Sequence, residues 1–229
     1  MERVLIVDDE KEIADLLGVY FENEGFEVST AATVAEAWHK ITSESISIAL
    51  LDIMLPDGDG FSLCKKIREE YLFPVIMLTA KSEEMDKITG LTFGADDYVT
   101  KPFRPMEVVA RVKAQLRRTN RYNRSQEHEE DSYMNDGLVL NVKAHECFVD
   151  GHLLNLTPTE FTILQYLYEH RGEVVSAEDL FHEIWKDEYF EKGTNTITTH
   201  IRHLREKMND TEQPRYIKTV WGVGYKIER

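Results

Sequence analysis

Val4-Leu5-Ile6-Val7-Asp8-Asp9 is the stretch on which the fold turns. Four apolar residues without a polar break describe a strand buried on both faces, as in a parallel sheet covered by helices on either side. An acidic pair follows at once, at the strand's carboxyl end. The same apolar character returns at Ile46-Ser47-Ile48-Ala49-Leu50-Leu51 and at Pro74-Val75-Ile76-Met77-Leu78. Weaker runs at Glu27-Val28-Ser29-Thr30 and Asp97-Tyr98-Val99-Thr100 complete five expected strands. Amphipathic stretches lie between them, one through Ile13, Leu16, Leu17, Tyr20 and Phe21, another through Val108, Val109, Val112 and Leu116. Strands alternating with helices predict an α/β domain: a five-stranded parallel sheet with helices on both faces.

Working outward, Thr119 to Asp131 loses the apolar period and fills with Asn, Arg, Ser, Gln, His and Glu, the composition of an exposed linker. The expected organisation is a first domain over 1–120, a linker over 121–135 and a second domain over 136–229. The second domain opens with alternating runs at Leu138–Val142 and Glu146–Val149, and Asp150-Gly151 marks a hairpin. Thr157-Pro158-Thr159-Glu160 combines a capping box with proline at the first helical position. That helix should run to His170-Arg171 and end at Gly172. A second helix is expected from Ser176, a third from about Thr194 to Met208, and a strand-turn-strand over Tyr216–Ile227 closes the chain. Three helices with a terminal hairpin predict an α+β winged helix.

With 229 residues and 42% apolar composition, the chain can fill two small cores. It has no run of eighteen apolar residues, and its N-terminus turns acidic before a signal-peptide core can form, so a cytoplasmic protein is expected. Cys64 and Cys147 are too few and too far apart for a disulfide framework or a metal cluster. A net charge of −15 argues at first against nucleic acid. The charge is uneven, however. Residues 1–118 hold 14 basic and 22 acidic side chains, whereas 195–229 hold 7 basic and 4 acidic, with His200 and His203 beside them. Phosphate binding needs only such a local field.

Three features of the first domain are chemical. Asp8-Asp9 follows the first strand, Asp52 the third, and Lys101-Pro102-Phe103 the fifth. In open parallel sheets ligands bind outside the carboxyl ends of strands. Crowded carboxylates with hard oxygen donors call for a cation, and with an anionic substrate that cation is magnesium, Mg²⁺. Asp8, Asp9 and Asp52 would hold it, a carboxylate oxygen of Asp52 would attack phosphorus, and Lys101 would pair with the phosphate. Taken singly, a strand-end Asp is most often a cap or a solvated turn; the combination in this order is what points to phosphoryl chemistry.

On Asp8-Asp9, Asp52, Thr79 and Lys101 the chain resembles the receiver domains of two-component response regulators, a flavodoxin-like fold. The resemblance implies that Asp52 is the phosphoacceptor and that the backbone carbonyl of Met54 completes the Mg²⁺ site. It further implies that Thr79 bonds the phosphate while Tyr98 rotates inward behind it, coupling charge to packing. Lys87, Asp96, Asp97, Glu107, Arg111 and Lys113 match the charged dimer face of the OmpR/PhoB subfamily. The implied pairs across a two-fold axis are Lys87–Glu107, Asp96–Lys113 and Asp97–Arg111.

In the third helix of the second domain, Ile197, Ile201, Leu204 and Met208 form a core stripe. The opposite face presents Asn195, Thr198, Thr199 and Arg202, flanked by His200, Arg205 and Lys207, groups that suit a major groove. Arg205, Lys207, Arg215 and Lys218 are expected on phosphates. Asn195–Lys207 and Thr219–Tyr225 resemble the OmpR/PhoB effector domain. Some relatives carry Arg where this chain has Trp221 and reach the minor groove with it. An indole cannot make that cationic contact, and Trp221 is left to pack.

The resemblance as a whole implies a DNA-binding transcription regulator. A sensor histidine kinase phosphorylates it, it is homodimeric when phosphorylated, and it acts on promoter DNA with repeated half-sites. Asp187–Phe190 and Asn209–Thr211 look like the regulators of glycopeptide (vancomycin) resistance operons, which activate cell-wall genes; a response regulator of another cell-envelope stimulus is the alternative. A haloacid-dehalogenase-like phosphatase would want a second Asp at position 54, where Met54 stands. Asp57-Gly58-Asp59-Gly60 lacks the ligand spacing of a calcium loop and reads as a turn.

Overall fold

The computed structural model describes residues 2–80, 94–121, 132–185, 194–211 and 214–228, without the side chains of 80, 118–121, 132, 135, 194 and 195. The chain divides into two compact units, Met1–Leu116 and Arg117–Arg229.

In the first unit, strands β1 (Arg3–Val7), β2 (Glu27–Ala31), β3 (Ile48–Asp52), β6 (Val75–Ala80) and β7 (Asp97–Lys101) form one sheet in the order β2-β1-β3-β6-β7. Every pairing is parallel, with Ile6 opposite Thr30 and Leu50, and Thr79 opposite Thr100. This is the flavodoxin-like order. The strands are apolar throughout because both faces are covered. Val4 and Ile6 pack with Ile48, Leu50 and Leu78 beneath helices α1 (Lys11–Asn23) and α4 (Pro105–Arg121). Leu5 and Val7 turn the other way, with Ala49, Leu51 and Met77, towards α2 (Val34–Ser43) and α3 (Gly60–Glu70). A short hairpin, β4 (Met54–Leu55) and β5 (Gly58–Asp59), joins β3 to α3.

The second unit begins earlier than expected. Strands β8 (Ser132–Asn135), β9 (Leu138–Asn141), β10 (Glu146–Val149) and β11 (His152–Leu154) make a four-stranded antiparallel meander. β8 lies inside the stretch read as linker. Its turn, Asp136-Gly137, has both residues at positive φ (49° and 88°), as Asp150-Gly151 does (48° and 82°); these are the left-handed residues of two-residue hairpins. Helix α5 (Pro158–Glu169) starts at the expected capping box, with Thr157 accepting from Glu160 N–H (3.4 Å) and Glu160 from Thr157 N–H (2.7 Å).

Strand β12 (Val175–Ser176), α6 (Ala177–Trp185), α7 (Thr194–Lys207), β13 (Ile217–Val220) and β14 (Gly224–Ile227) complete a winged helix whose sheet runs β12-β14-β13. One apolar cluster joins Leu138, Phe161, Leu164, Phe181, Ile197, Ile201 and Ile227. Each unit holds one cysteine, free and buried: burial pushes the Cys64 thiol up to about 11 and the Cys147 thiol up to about 12. Among the described residues, no helix is long and apolar enough to cross a membrane.

Candidate phosphoacceptor pocket and nucleic-acid interface

Because all five strands run one way, their carboxyl ends share an edge, and the acidic residues meet the lysine there. Lys101 Nζ, at the end of β7, donates to Asp52 Oδ2 (2.7 Å), Asp8 Oδ2 (2.8 Å) and Glu10 Oε1 (3.2 Å). Asp8 Oδ1 also accepts from the Glu10 backbone N–H (3.0 Å). Burial lifts the Asp8 carboxyl above its ordinary range, and the neighbouring Asp52 charge adds to this against the hydrogen bonds that oppose it. Burial alone would lower the Lys101 ammonium; the Asp52 and Asp8 carboxylates override it and hold Lys101 well above the ordinary lysine range. The lysine therefore stays charged at any physiological pH.

One carboxylate oxygen from each of Asp8, Glu10 and Asp52 lies within 4.8 Å of the others. That is a hard-oxygen donor set of the kind magnesium takes. Asp9, expected in the set, is exposed and outside this group. Glu10, the third acidic residue after the strand, lies within it. Thr79 is buried at the end of β6, and Tyr98 is half-buried against the cluster on the α2/α3 side. Met54 is 75% exposed, and its backbone N–H donates to Asp52 Oδ1 (3.4 Å).

Two further residues shape the loop after Asp52. Asp57 accepts from Val34 N–H (2.7 Å) and Ala35 N–H (3.0 Å), tying the hairpin to the start of α2. Those hydrogen bonds hold its carboxyl below the usual range. A Cβ at Gly60 would lie 2.1 Å from the Asp52 carbonyl oxygen, so the chain can fold back on the phosphoacceptor strand only with glycine there. Both residues fall in the Asp57-Gly58-Asp59-Gly60 stretch read from the sequence as a turn, which did not show what either one meets.

The charges expected on a dimer face are largely used within the chain. Asp96 is fully buried and accepts from Arg68 Nη2 (2.7 Å) and Val75 N–H (2.9 Å). Asp97 and Arg111, each 4% exposed at the side chain, pair at 2.7 Å, and Glu107 lies 3.4 Å from Arg111. Lys113 pairs with Glu24. Within one chain, then, Asp96, Asp97 and Arg111 already hold buried partners, which any pairing across a two-fold axis, Asp96–Lys113 or Asp97–Arg111, would have to share. Lys87 lies outside the described residues.

In α7 the exposed ridge is narrower than the sequence suggested. Thr198, Arg202 and Glu206 are exposed, at i, i+4 and i+8. Thr199 and His200 are 7% and 2% exposed and are corrected to core positions; His203 is buried too. Helices on two sides bury a wider arc than a four-residue stripe, and the His200 ring lies 6.0 Å from that of Trp185. Asn195 sits in the first turn, its side chain outside the described set.

The side chains expected on phosphates also have partners within the chain. Arg205 Nη2 donates to Ile217 O (2.6 Å) and Thr219 Oγ1 (2.9 Å). Lys207 binds Glu160 (2.6 Å) and the Asn155 carbonyl (2.9 Å). Arg215 pairs with Asp136 (2.6 Å) and Lys218 with Glu228 (2.6 Å). Trp221 does not pack: it is 90% exposed.

A parallel sheet with an acidic, lysine-bridged pocket at its carboxyl edge, followed by a winged helix, defines a phosphoryl-switched DNA-binding regulator. Comparison with known proteins agrees. Residues 4–113 match the response regulator receiver domain and 151–227 the C-terminal domain of transcriptional regulatory proteins. The chain belongs to the response regulators of two-component systems, in the branch with an OmpR/PhoB-type effector domain.

It is 58% identical to Regulatory protein VanR of Enterococcus faecium, over all of this chain and 99% of that protein. It is 54% identical to Regulatory protein VanRc of Enterococcus gallinarum with the same coverage, and 43% identical to the alkaline phosphatase synthesis regulator PhoP of Bacillus subtilis over 99% of this chain and 97% of that one. Among solved structures, response regulator DrrB, a Thermotoga maritima OmpR/PhoB homologue, aligns over both whole chains at 33% identity and a TM-score of 0.52.

Proposed function

We propose that Asp52 is the phosphoacceptor, and that its acyl phosphate switches the chain to a DNA-binding homodimer. The observation that carries this is the single lysine, Lys101, hydrogen-bonded at once to the strand-end carboxylates Asp52 and Asp8. An Asp52 carboxylate oxygen forms a bond to phosphorus as the phosphorus–nitrogen bond of a sensor kinase's phosphohistidine breaks, and the electron pair leaves with the imidazole. Lys101, permanently charged, trades a carboxylate for the incoming phosphoryl oxygens, and the Thr79 hydroxyl donates to another. Tyr98 then fills the space behind Thr79. Asp8, Asp52 and Glu10, with Asp9 beside them, would hold magnesium, as would the Met54 carbonyl; when bound, the ion supplies positive charge to the phosphoryl oxygens.

In the effector domain Asn195, Thr198 and Arg202 address bases in the major groove of repeated promoter half-sites. The identity with VanR and VanRc supports control of glycopeptide-resistance-type cell-wall genes. Acetyl phosphate with magnesium should add one phosphoryl group to the wild type and none to Asp52→Ala, read by intact mass. Modification that survives in Asp52→Ala refutes the assignment. Footprinting without protection upstream of such genes refutes the regulon.

A further inference from the structure

The first amides of a helix have no partner inside it. At the start of α2 the local sequence covers one of them: Thr33 Oγ1 accepts from Glu36 N–H at 3.1 Å. The two before it are taken by a single carboxylate from another element. Asp57 Oδ1 accepts from Val34 N–H (2.7 Å) and Asp57 Oδ2 from Ala35 N–H (3.0 Å), so each oxygen holds its own amide. Gly58 lies against the same turn, where a Cβ on it would come within 3.1 Å of Val34 Cγ2.

Asp57 sits at the turn of the β4–β5 hairpin, which leaves the phosphoacceptor strand. Two residue pairs, Met54 with Asp59 and Leu55 with Gly58, are too few to be rigid by themselves. The second strand is fixed on α3, where Asp59 accepts from Ser62 N–H and Ser62 Oγ, both at 2.8 Å. In the first strand Leu55 enters the core. Met54 has no such hold: its side chain is exposed, and its N–H reaches Asp52 Oδ1 only at 3.4 Å. The direction of its carbonyl therefore follows the hairpin, and the hairpin's tip is held through Asp57. Amides released from Asp57 at this exposed site would be met by water, so the clasp adds little to folding stability. What it adds is position.

We propose that Asp57 is a positioning residue for the magnesium site, its carboxylate clasping α2 so that the Met54 carbonyl stays turned to the pocket. Without the clasp the hairpin samples orientations that carry this carbonyl away, and re-ordering it draws on the binding of the ion. The inference rests on the reading of Asp8, Asp52 and the Met54 carbonyl as metal ligands above.

The test titrates the full chain with magnesium alone, by calorimetry. Asp57→Ala should bind the ion about fivefold more weakly than wild type, the usual cost of losing a helix-start cap expressed as affinity. Asp57→Asn removes the same charge but keeps one oxygen that can accept, and should lose only about twofold. Glu36→Ala is the control. It too removes one negative charge and one hydrogen bond, to Ala32 N–H at 2.9 Å, from the start of α2 while leaving the hairpin alone, and it should bind as wild type does. In magnesium-free protein, amide exchange followed by NMR should quicken at Val34 and Ala35 in Asp57→Ala, and at Ala32 in Glu36→Ala. Wild-type affinity in Asp57→Ala overturns the proposal. So do equal losses in Asp57→Ala and Asp57→Asn, or a matching loss in Glu36→Ala, since charge alone would then account for the effect. Unchanged exchange at Val34 and Ala35 overturns it as well. Each of these leaves the metal site standing, whereas a wild type without affinity for magnesium overturns the site and the proposal together.

Discussion

Replacing Lys101 by methionine keeps the reach of the side chain and removes its charge, and the consequences have opposite signs with and without magnesium. Lys101 Nζ lies 2.7 Å from Asp52 Oδ2 and 2.8 Å from Asp8 Oδ2. A magnesium ion bound to either oxygen at its usual distance, about 2.1 Å, sits within about 5 Å of that ammonium. A double and a single positive charge at about 5 Å repel by roughly 1.7 kcal/mol even at the dielectric of water. Lys101→Met should therefore bind magnesium roughly tenfold to twentyfold more tightly.

Without the ion, the variant leaves the buried Asp8 carboxylate against Asp52 with no counter-charge. That should cost roughly 1–3 kcal/mol, below the range for a fully buried pair because Asp8 can take up a proton. The two effects cross: the variant melts lower than wild type in chelator, and saturating magnesium raises its melting temperature by more. Calorimetric titration and thermal unfolding of the full chain measure both. An unchanged or weaker magnesium affinity in Lys101→Met would refute the electrostatic account of the pocket.

Other outcomes follow from named contacts. Arg111→Ala strands the buried Asp97 carboxylate and should lower receiver stability by about 3–5 kcal/mol, whereas Asp97→Asn with Arg111→Met together should cost less than the sum of the single changes; additive losses would contradict the pairing. Gly60→Ala, whose new Cβ would meet the Asp52 carbonyl at 2.1 Å, should cost about 1–3 kcal/mol and slow acceptance of phosphate from acetyl phosphate; wild-type kinetics would show that the loop gives freely.

Burial lowers His145 from its ordinary 6.5 to about 4. Over that interval the unfolded chain binds a proton the folded one refuses, so effector-domain stability is complete above pH 6.5 and declines as pH falls towards 4. The loss is at most about 3 kcal/mol, and His145→Phe, packing on Phe161 as the tilted imidazole does, should flatten a urea-midpoint series over that range. Arg202→Ala should relax base preference by about 1–3 kcal/mol at one position, while His200→Ala should instead lower stability; the reverse pattern would put the reading face elsewhere.

The sheet was legible because burial on both faces leaves a plain signature. Val4 to Val7 can be apolar without a break only where odd and even residues enter different cores, as they do. Strand-end placement then located Asp8, Asp52 and Lys101, since parallel strands must present their ends together. What stayed hidden depended on tertiary neighbours. The period of α7 marked its inward stripe but not how far around Thr199 and His200 would be enclosed by α5 and α6. Charged residues read as free for partners, Arg205, Lys207, Asp96 and Arg111, had acquired partners far away in sequence, and no local pattern reveals those. β8 stayed hidden for a different reason: Ser132 to Asn135 fell in the stretch read as linker, although Asp136-Gly137 directly after it is a hairpin signal.

The two cysteines give this chain a built-in pair of gauges. One thiol lies in each core, and each is held in its unreactive protonated form by its own surroundings. An alkylating reagent applied in a short pulse should reach Cys64 only when the receiver opens and Cys147 only when the effector does. Mapping which peptide carries the adduct would then show, in the intact protein, whether phosphate on one half firms up the other.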